Sequence, residues 1–448
     1  MKRQFIATLA RCLAIATFSL GADVLEAGMP FEEAPINYNE TKARDAVMKV
    51  KYRMAKGDLE LKYDEQFGYL PALLKALEVP LSSQTLVFAK TSLQLRYISP
   101  RNPRALYFAD DVYVGWVRGS NIMELSTVDP RLGAVFYAVE QNPDKPRILR
   151  KTYECLQCHA STLTQGVPGH SIRSVFPKPD GTPNLRAGTY RTDHKSPLEE
   201  RWGGWYVTGT HGDQKHMGNA FLRGTEDARD LDTRRSMNVT SLADRFPTAA
   251  WMSPHSDLIA LMVLEHQAQM HNFVTRANFD GRRALYEEKI INKMLKEPNR
   301  PRSESIKRRF DNAADRVLRY MLFSGEAALT GRLRGTSGFE DEFPKQGPRD
   351  CQGRSLRDFD LTKRVFKYPC SYVIYTESFD ALPAPVAERI YRGLYDVLTG
   401  KDQSEEFAHL SPEARQAILE ILLATKKGLP DYWTGKATQV APLLPAGS

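Results

Sequence analysis

The stretches VYVGWV (residues 112–117) and AVFYAV (134–139) decide the fold class of this 448-residue chain. Both are rich in β-branched and aromatic residues, which favour strands, and turn-forming residues flank them. The same signals predict strands at 86–89, 171–176, 187–191 and 205–208. The sequence therefore predicts a small, antiparallel, loop-rich sheet.

Apolar residues spaced about 3.6 apart predict helices on both sides of this sheet region. The last helix has a clear start signal, with Ser411 as N-cap and Pro412 at the first helical position. One further strand is expected at Ser371–Tyr375. The prediction is an α+β protein in which the sheet region precedes a mainly helical C-terminal region. The predicted helices span 41–54, 71–77, 256–277, 281–296, 304–330, 386–398 and 411–427.

The first residues are typical of a secretory signal peptide, predicted here at 1–27. Lys2 and Arg3 form a basic start, the apolar stretch 12–20 follows, and Ala27 is a small residue at which a peptidase could cut. The stretch is shorter than the roughly 20 residues that a membrane-spanning helix needs. Export to the periplasm or beyond is the prediction, with an uncleaved membrane anchor as the alternative.

Composition excludes several classes of protein. Five cysteines in 448 residues are too few for a disulfide-built scaffold. The net charge is +8, but the basic residues are dispersed among 54 acidic ones and form no run that would follow nucleic-acid phosphates. A mildly basic surface instead suits anionic partners, such as an acidic redox protein or a lipid headgroup.

Cys155, Cys158 and His159 form the motif C-x-x-C-H within the sequence CLQCH. Two cysteines at this spacing can add to the two vinyl groups of a porphyrin, and the adjacent histidine can then bind the iron from the proximal side. With the residue counts of this chain, the pattern arises by chance in roughly one chain in a thousand. We therefore predict one covalently attached haem c.

Two other readings of the motif remain open. A thioredoxin-like redox pair needs a strand-to-helix setting, and residues 160–166 are a poor helix opening. Half of a zinc site needs further ligands, and no second cysteine pair is present, although histidines could substitute.

The sixth iron ligand is predicted less directly. The loop 211–219 is the richest source, and Met217 or His216 is the first choice for the distal position. An open, five-coordinate iron is the alternative. The other candidates are His170, His194, His211, Met252, His255, Met270 and His271.

Several residues near the motif suit the wall of a haem site. Arginine side chains match the carboxylates of haem propionates. Trp202, Trp205 and Tyr206 flank Gly203-Gly204, where the absent side chains would let backbone approach a flat ring. The alternatives are solvated arginines and core aromatics. Cys351 and Cys370 could form a disulfide, or Cys370 could be a buried thiol. The candidate arginines are Arg173, Arg186, Arg191 and Arg201.

Three segments carry a resemblance to a known family: ALYFADDVYVGWV (105–117), CLQCHASTLTQGVPGH (155–170) and RTDHKSPLEERWGGWYVTGTHGDQKHMGN (191–219). The chain resembles large, exported bacterial cytochrome c domain-containing proteins with a single C-x-x-C-H. The resemblance extends over most of the predicted mature chain and implies haem binding and electron transfer. The predicted strands around the motif differ from the small, all-helical cytochromes c.

The predicted organisation is a signal peptide at 1–27, a helical segment at 28–98, a haem c-binding α+β region at 99–230 and a helical region at 231–448. The first hypothesis for function is a monohaem cytochrome that passes electrons to a redox partner protein. The second is a haem enzyme, peroxidase-like or acting on a small molecule, with His194, His211 or His216 as acid or base. The third is a haem-based sensor.

Overall fold

The computed structural model describes residues 31–223, 227 and 231–434. The predicted signal peptide and its cleavage site lie outside these residues. The architecture is α+β, as predicted, with a seven-stranded antiparallel sheet followed by a mainly helical C-terminal region.

The large sheet has the strand order β6-β5-β4-β3-β2-β1-β9, and two small sheets pair β7 with β8 and β10 with β11. The predicted strands near β1, β3, β5, β7, β8 and β9 are confirmed, whereas β2, β4, β6, β10 and β11 were not predicted. The strands are β1 Thr85–Val87, β2 Arg104–Phe108, β3 Val112–Trp116, β4 Ile122–Asp129, β5 Gly133–Glu140, β6 Arg147–Lys151, β7 Ile172–Val175, β8 Thr189–Thr192, β9 Trp205–Tyr206, β10 Phe221–Leu222 and β11 Leu231–Asp232.

The two faces of the large sheet have different roles because side chains alternate along each strand. Val135, Tyr137 and Val139 of β5 join an apolar cluster with the first two helices. Phe136 of β5 and Tyr113 of β3 lie on the opposite face, where the loop after the C-x-x-C-H motif and the long helix Leu258–Leu295 pack. This second face carries the candidate site.

The helices are α1 Ala46–Lys56, α2 Leu70–Ala76, α3 Tyr153–His159, α4 Leu258–Leu295, α5 Glu304–Met321, α6 Phe339–Glu342, α7 Glu377–Asp380, α8 Ala384–Leu398, α9 Pro412–Thr425 and α10 Asp431–Thr434. The N-cap at Ser411 is confirmed, since its side chain accepts a hydrogen bond from the Ala414 amide. Helix α1 begins later than predicted, after the N-cap Asp45.

Three predictions of secondary structure are wrong. The predicted break before residue 281 does not occur, and α4 runs for 38 residues. Gly281 lies inside α4. A Cβ at this position would come within 2.8 Å of the Val386 side chain, so the absence of a side chain lets α8 approach. Helix α5 ends at Met321, and Phe323 follows with a positive φ of 59°. The expected strand Ser371–Tyr375 is instead a 3-10 helix over Tyr372–Tyr375, capped by Ser371.

The N-terminal segment shares the main sheet with later parts of the chain. Strand β1 lies between β2 and β9, and Val87 of β1 joins the apolar cluster that includes α4. The predicted segment boundaries stay predictions. Across residues 31–223, 227 and 231–434, no helix combines the length and apolar character needed to cross a membrane.

Candidate haem site

The C-x-x-C-H motif forms the short helix α3, which follows directly from strand β6. Cys155 and Cys158 are three residues apart, so they lie on one side of this helix. Cys158 is exposed and Cys155 is half-buried, so both thiols are accessible to a reacting group. His159 ends the helix, and Ala160 no longer has a helical backbone.

The His159 ring is held by one hydrogen bond and one ring contact. Its Nδ1 lies 3.0 Å from the carbonyl oxygen of Gly169, and its ring lies 4.8 Å from that of Phe136. Because a carbonyl can only accept, Nδ1 must carry the proton, and Nε2 keeps its lone pair. Burial lowers the pKa of His159, which also favours the neutral ring. This is the state in which histidine binds a metal, with the tautomer set by a backbone carbonyl.

His170 lies near His159. It follows Gly169 directly, its ring centroid lies 6.3 Å from that of His159, and its Nε2 lies 2.7 Å from Ser126 Oγ. His170 therefore follows the residue whose carbonyl oxygen holds His159 Nδ1, and its assignment as a distal ligand stays a prediction.

Asn272 of α4 fixes the Gly169-His170 segment. Its side-chain Oδ1 accepts from the His170 amide at 3.0 Å, and its Nδ2 donates to the His170 carbonyl at 2.7 Å. A Cβ on Gly169 would lie 2.1 Å from that Oδ1, so the close approach requires glycine. Asn272 therefore acts on His159 through the loop that carries the Gly169 carbonyl.

The sheet face beside His159 continues into a partly open surface. We call it the open sheet face, and its residues are Arg104, Glu124, Ala138, Leu149 and Ile122. Arg104 and Glu124 form an ion pair. Leu149 and Glu124 both lie opposite Ala138 in the sheet register. Ile122 and Leu149 are each more than a third exposed. Apolar side chains that are exposed next to a reactive motif suit contact with a flat, apolar ring.

The thiol chemistry of Cys155 differs from that of a redox dithiol. The pKa of Cys155 is raised to about 11, mainly by burial and also by the carboxylates of Glu124 and Glu154. Reactive cysteines of the thioredoxin type have a lowered pKa. Strand β6 leads into α3, but α3 ends at His159 and residues 160–166 open no α-helix, as predicted. The electrostatic environment of Cys155 also opposes thiolate formation.

Met217 and His216 lie in other surroundings. Met217 is buried with Phe176 and Leu222, and its sulfur accepts a hydrogen bond from Ser174 Oγ at 3.5 Å. His216 packs against His211 and Trp202, and its Nδ1 accepts from the Gly218 amide at 3.0 Å. These contacts share no residue with those of His159. The assignment of either residue as the distal ligand stays a prediction.

Replacing His216 by glutamine is expected to change the pH dependence of stability. The pKa of His216 is lowered to about 3, mainly by burial and also by the neighbouring His211. The unfolded chain binds a proton near pH 6.5, so the native protein loses stability as pH falls below that value. Between pH 7 and 5 it should lose about 2 kcal/mol that His216→Gln does not lose. Urea unfolding of both proteins at the two pH values tests this, and parallel losses would contradict it.

Three of the four candidate arginines lie on or near strands β7 and β8, whereas the fourth, Arg201, is buried in an ion pair. Arg173 and Arg191 are cross-strand neighbours on β7 and β8, and Arg186 is exposed just before β8. Arg191 Nη1 also lies 3.5 Å from the Leu163 carbonyl in the loop after the motif. Arg201 is buried and bound to Glu265 at 3.0 Å, so its guanidinium is already engaged.

The aromatic residues near Gly203-Gly204 belong to the core. Trp202, Trp205 and Tyr206 are all buried. The sequence-based expectation was that these glycines let a flat ring approach, whereas the structure shows a packing role for Gly203. A Cβ on Gly203 would lie 2.1 Å from the Val175 carbonyl, so the missing side chain lets this loop reach β7.

The remaining histidine and methionine candidates have mainly structural contacts. His194 and His266 meet through their Nδ1 atoms at 2.8 Å, and His271 Nε2 lies 2.7 Å from the Asp110 carbonyl. The His255 carbonyl accepts from the Gln84 side chain, Met270 is fully buried, and Met252 packs at the edge of an apolar cluster. Cys370 is buried, Cys351 is exposed, and both are free thiols.

Sequence reasoning missed the residues that hold His159 in place. Gly169, Phe136, Ser126 and Asn272 carry no motif, and only the fold brings them to the histidine.

In the described ranges, no group of three or more His, Cys, Asp or Glu residues could hold a metal ion. Comparisons with models of known protein families, with curated proteins and with solved structures found no significant match.

Proposed function

We propose that this protein is an exported monohaem c-type cytochrome that transfers electrons to a redox partner protein. The observation that supports this most is the geometry of His159. It follows two accessible cysteines, and its Nδ1–H is tied to the Gly169 carbonyl, which leaves Nε2 available. An iron porphyrin at this position would supply one-electron redox chemistry.

The chain's own residues have separable roles in this proposal. The sulfurs of Cys155 and Cys158 would hold the group covalently, and His159 Nε2 would bind the iron. Phe136 and Gly169 fix the orientation of the His159 ring. Glu124 and Arg104, which form an ion pair on the open sheet face, set the local charge beside Cys155 and His159.

The position of α3 suits exchange of electrons with another protein. Cys158 is exposed, and Tyr153 at the start of the helix is 75% exposed. A partner can therefore approach the segment that carries the motif without opening the core. The net charge of +8 would favour an acidic partner surface by steering its approach.

Visible spectroscopy with carbon monoxide tests electron transfer against the haem enzyme. A six-coordinate electron-transfer protein should give a low-spin reduced spectrum that carbon monoxide leaves unchanged. A high-spin iron that binds carbon monoxide would contradict the proposal and favour an enzyme or a sensor. Met217→Ala, with Met270→Ala as a buried methionine control, tests Met217 as the sixth ligand. Loss of the Met217 sulfur should change the spin state or the potential, and no change in either would remove Met217 from the candidates.

A further inference from the structure

The last turns of α4 expose a row of apolar side chains. Tyr286, Ile290, Ile291, Met294 and Leu295 are 39%, 40%, 44%, 76% and 50% exposed. These ten residues of helix hold five of the fifteen large hydrophobic side chains that are exposed among the described residues. Such a concentration at one helix end is unlike single apolar residues scattered over a surface.

Basic residues border this apolar row. Lys289, Lys293 and Lys296 are exposed, and none has an ion-pair partner within residues 31–223, 227 and 231–434. At about 100° per residue, Tyr286, Ile290 and Met294 follow one line along the helix, and the lysines lie along its edge. We call these eight residues the α4 tip: Tyr286, Lys289, Ile290, Ile291, Lys293, Met294, Leu295 and Lys296.

Ion pairs to α5 and its leading loop hold the tip in place. Arg302 Nε lies 2.9 Å from Glu288 Oε1, and Arg309 is paired with Glu287. These contacts occupy the acidic side chains of the same turns, so the positive charge of the lysines is not cancelled by them. A favourable interaction with the helix dipole explains lysines at a C-terminal end, but it does not explain the exposed apolar row.

The size and shape of the tip argue against a protein partner. A helix segment of ten residues is about 15 Å long and about 10 Å wide, so it presents roughly 150 Å². A stable protein interface needs about 800 Å² from each partner. A second copy of the chain would also bring lysines against lysines. A convex helix end with apolar and cationic side chains instead suits the boundary between lipid headgroups and acyl chains.

We propose that the α4 tip binds the surface of membranes that contain anionic lipids. The apolar side chains would enter the boundary below the headgroups, and the lysine ammonium groups would pair with lipid phosphates. This proposal is independent of haem binding, because the tip shares no residue with the candidate haem site.

Vesicle sedimentation of the purified protein, as exported by its host, tests the proposal. The probes are phosphatidylcholine vesicles with and without about 30% phosphatidylglycerol. We expect binding only to the anionic vesicles, with strong weakening by salt. Lys289→Glu/Lys293→Glu should bind at least about 25-fold more weakly, since each lysine near an anionic surface contributes about fivefold. Ile290→Ser/Met294→Ser should also weaken binding, by about tenfold.

The control for charge is Lys62→Glu/Lys75→Glu, which changes two exposed lysines elsewhere by the same amount. Tyr52→Ser on α1 is the control for an exposed apolar side chain. Equal binding by the tip and control variants would overturn the proposal. So would equal binding to neutral vesicles, or a self-association in solution that the tip variants abolish.

Discussion

Replacing Glu265 by alanine is expected to lower the free energy of unfolding by about 3–5 kcal/mol, because it leaves the charge of Arg201 buried without its partner. The side chains of Arg201 and Glu265 are 2% and 0% exposed and lie 3.0 Å apart. Burial raises the pKa of Glu265, and the Arg201 guanidinium beside it acts in the opposite direction. Urea unfolding at constant pH measures the loss.

Three further variants test whether the loss of stability comes from the unpaired charge of Arg201. Glu265→Gln keeps an oxygen for Arg201 and should cost less. Arg201→Met/Glu265→Leu removes both charges and should recover much of the stability. The matched control Glu377→Ala breaks the exposed pair with Lys49, whose side chains are 67% and 68% exposed, and should cost under about 0.5 kcal/mol. A similar loss in Glu265→Ala and Glu377→Ala would contradict the account.

Replacing Asn272 by alanine is expected both to lower the free energy of unfolding and to change the candidate haem site. The substitution leaves the buried amide and carbonyl of His170 without partners, which should cost about 2–4 kcal/mol. The Gly169 carbonyl would then hold His159 less firmly. Because a hydrogen bond at Nδ1 makes the ring a stronger ligand, its loss should raise the reduction potential of a bound iron.

Asn278 offers a matched control on the same helix. Its Nδ2 donates to the carbonyls of Ala381 and Pro130, away from His159. Asn278→Ala should therefore reduce stability without a change in potential, as measured by a spectroscopic redox titration. If the two variants shift the potential equally, or neither does, Asn272 has no positioning role.

Local sequence signals predicted the α+β class and the segments that carry the strongest patterns. β3 and β5 are dense in β-branched and aromatic residues, and α9 has both an N-cap and a proline at its start. β6, with the sequence RILRK, was missed because it is short, polar and at the sheet edge, where pairing rather than burial makes it a strand. The apparent break near Gly281 was misleading because packing against α8 outweighs the low helix propensity of glycine.

The candidate site was predictable only where residues are adjacent in sequence. Cys155, Cys158 and His159 form one motif whose spacing carries the chemistry. Gly169 is ten residues away and acts through its backbone, which no side-chain pattern can reveal. Asn272 is more distant still, and its role arises from the packing of α4 against the loop. Candidates such as His194 and Arg201 had the right residue type but are engaged in the core.

A pyridine haemochrome assay on protein from a host that matures c-type cytochromes tests whether the C-x-x-C-H motif carries covalent haem. We expect one haem per chain, with the spectrum of two thioether links and a matching mass increase that survives denaturation. Cys155→Ser/Cys158→Ser should lose the covalent group, whereas Cys351→Ser, at an exposed free thiol, should keep it. Colourless protein with both motif sulfurs free, or with zinc bound to them, would contradict the account.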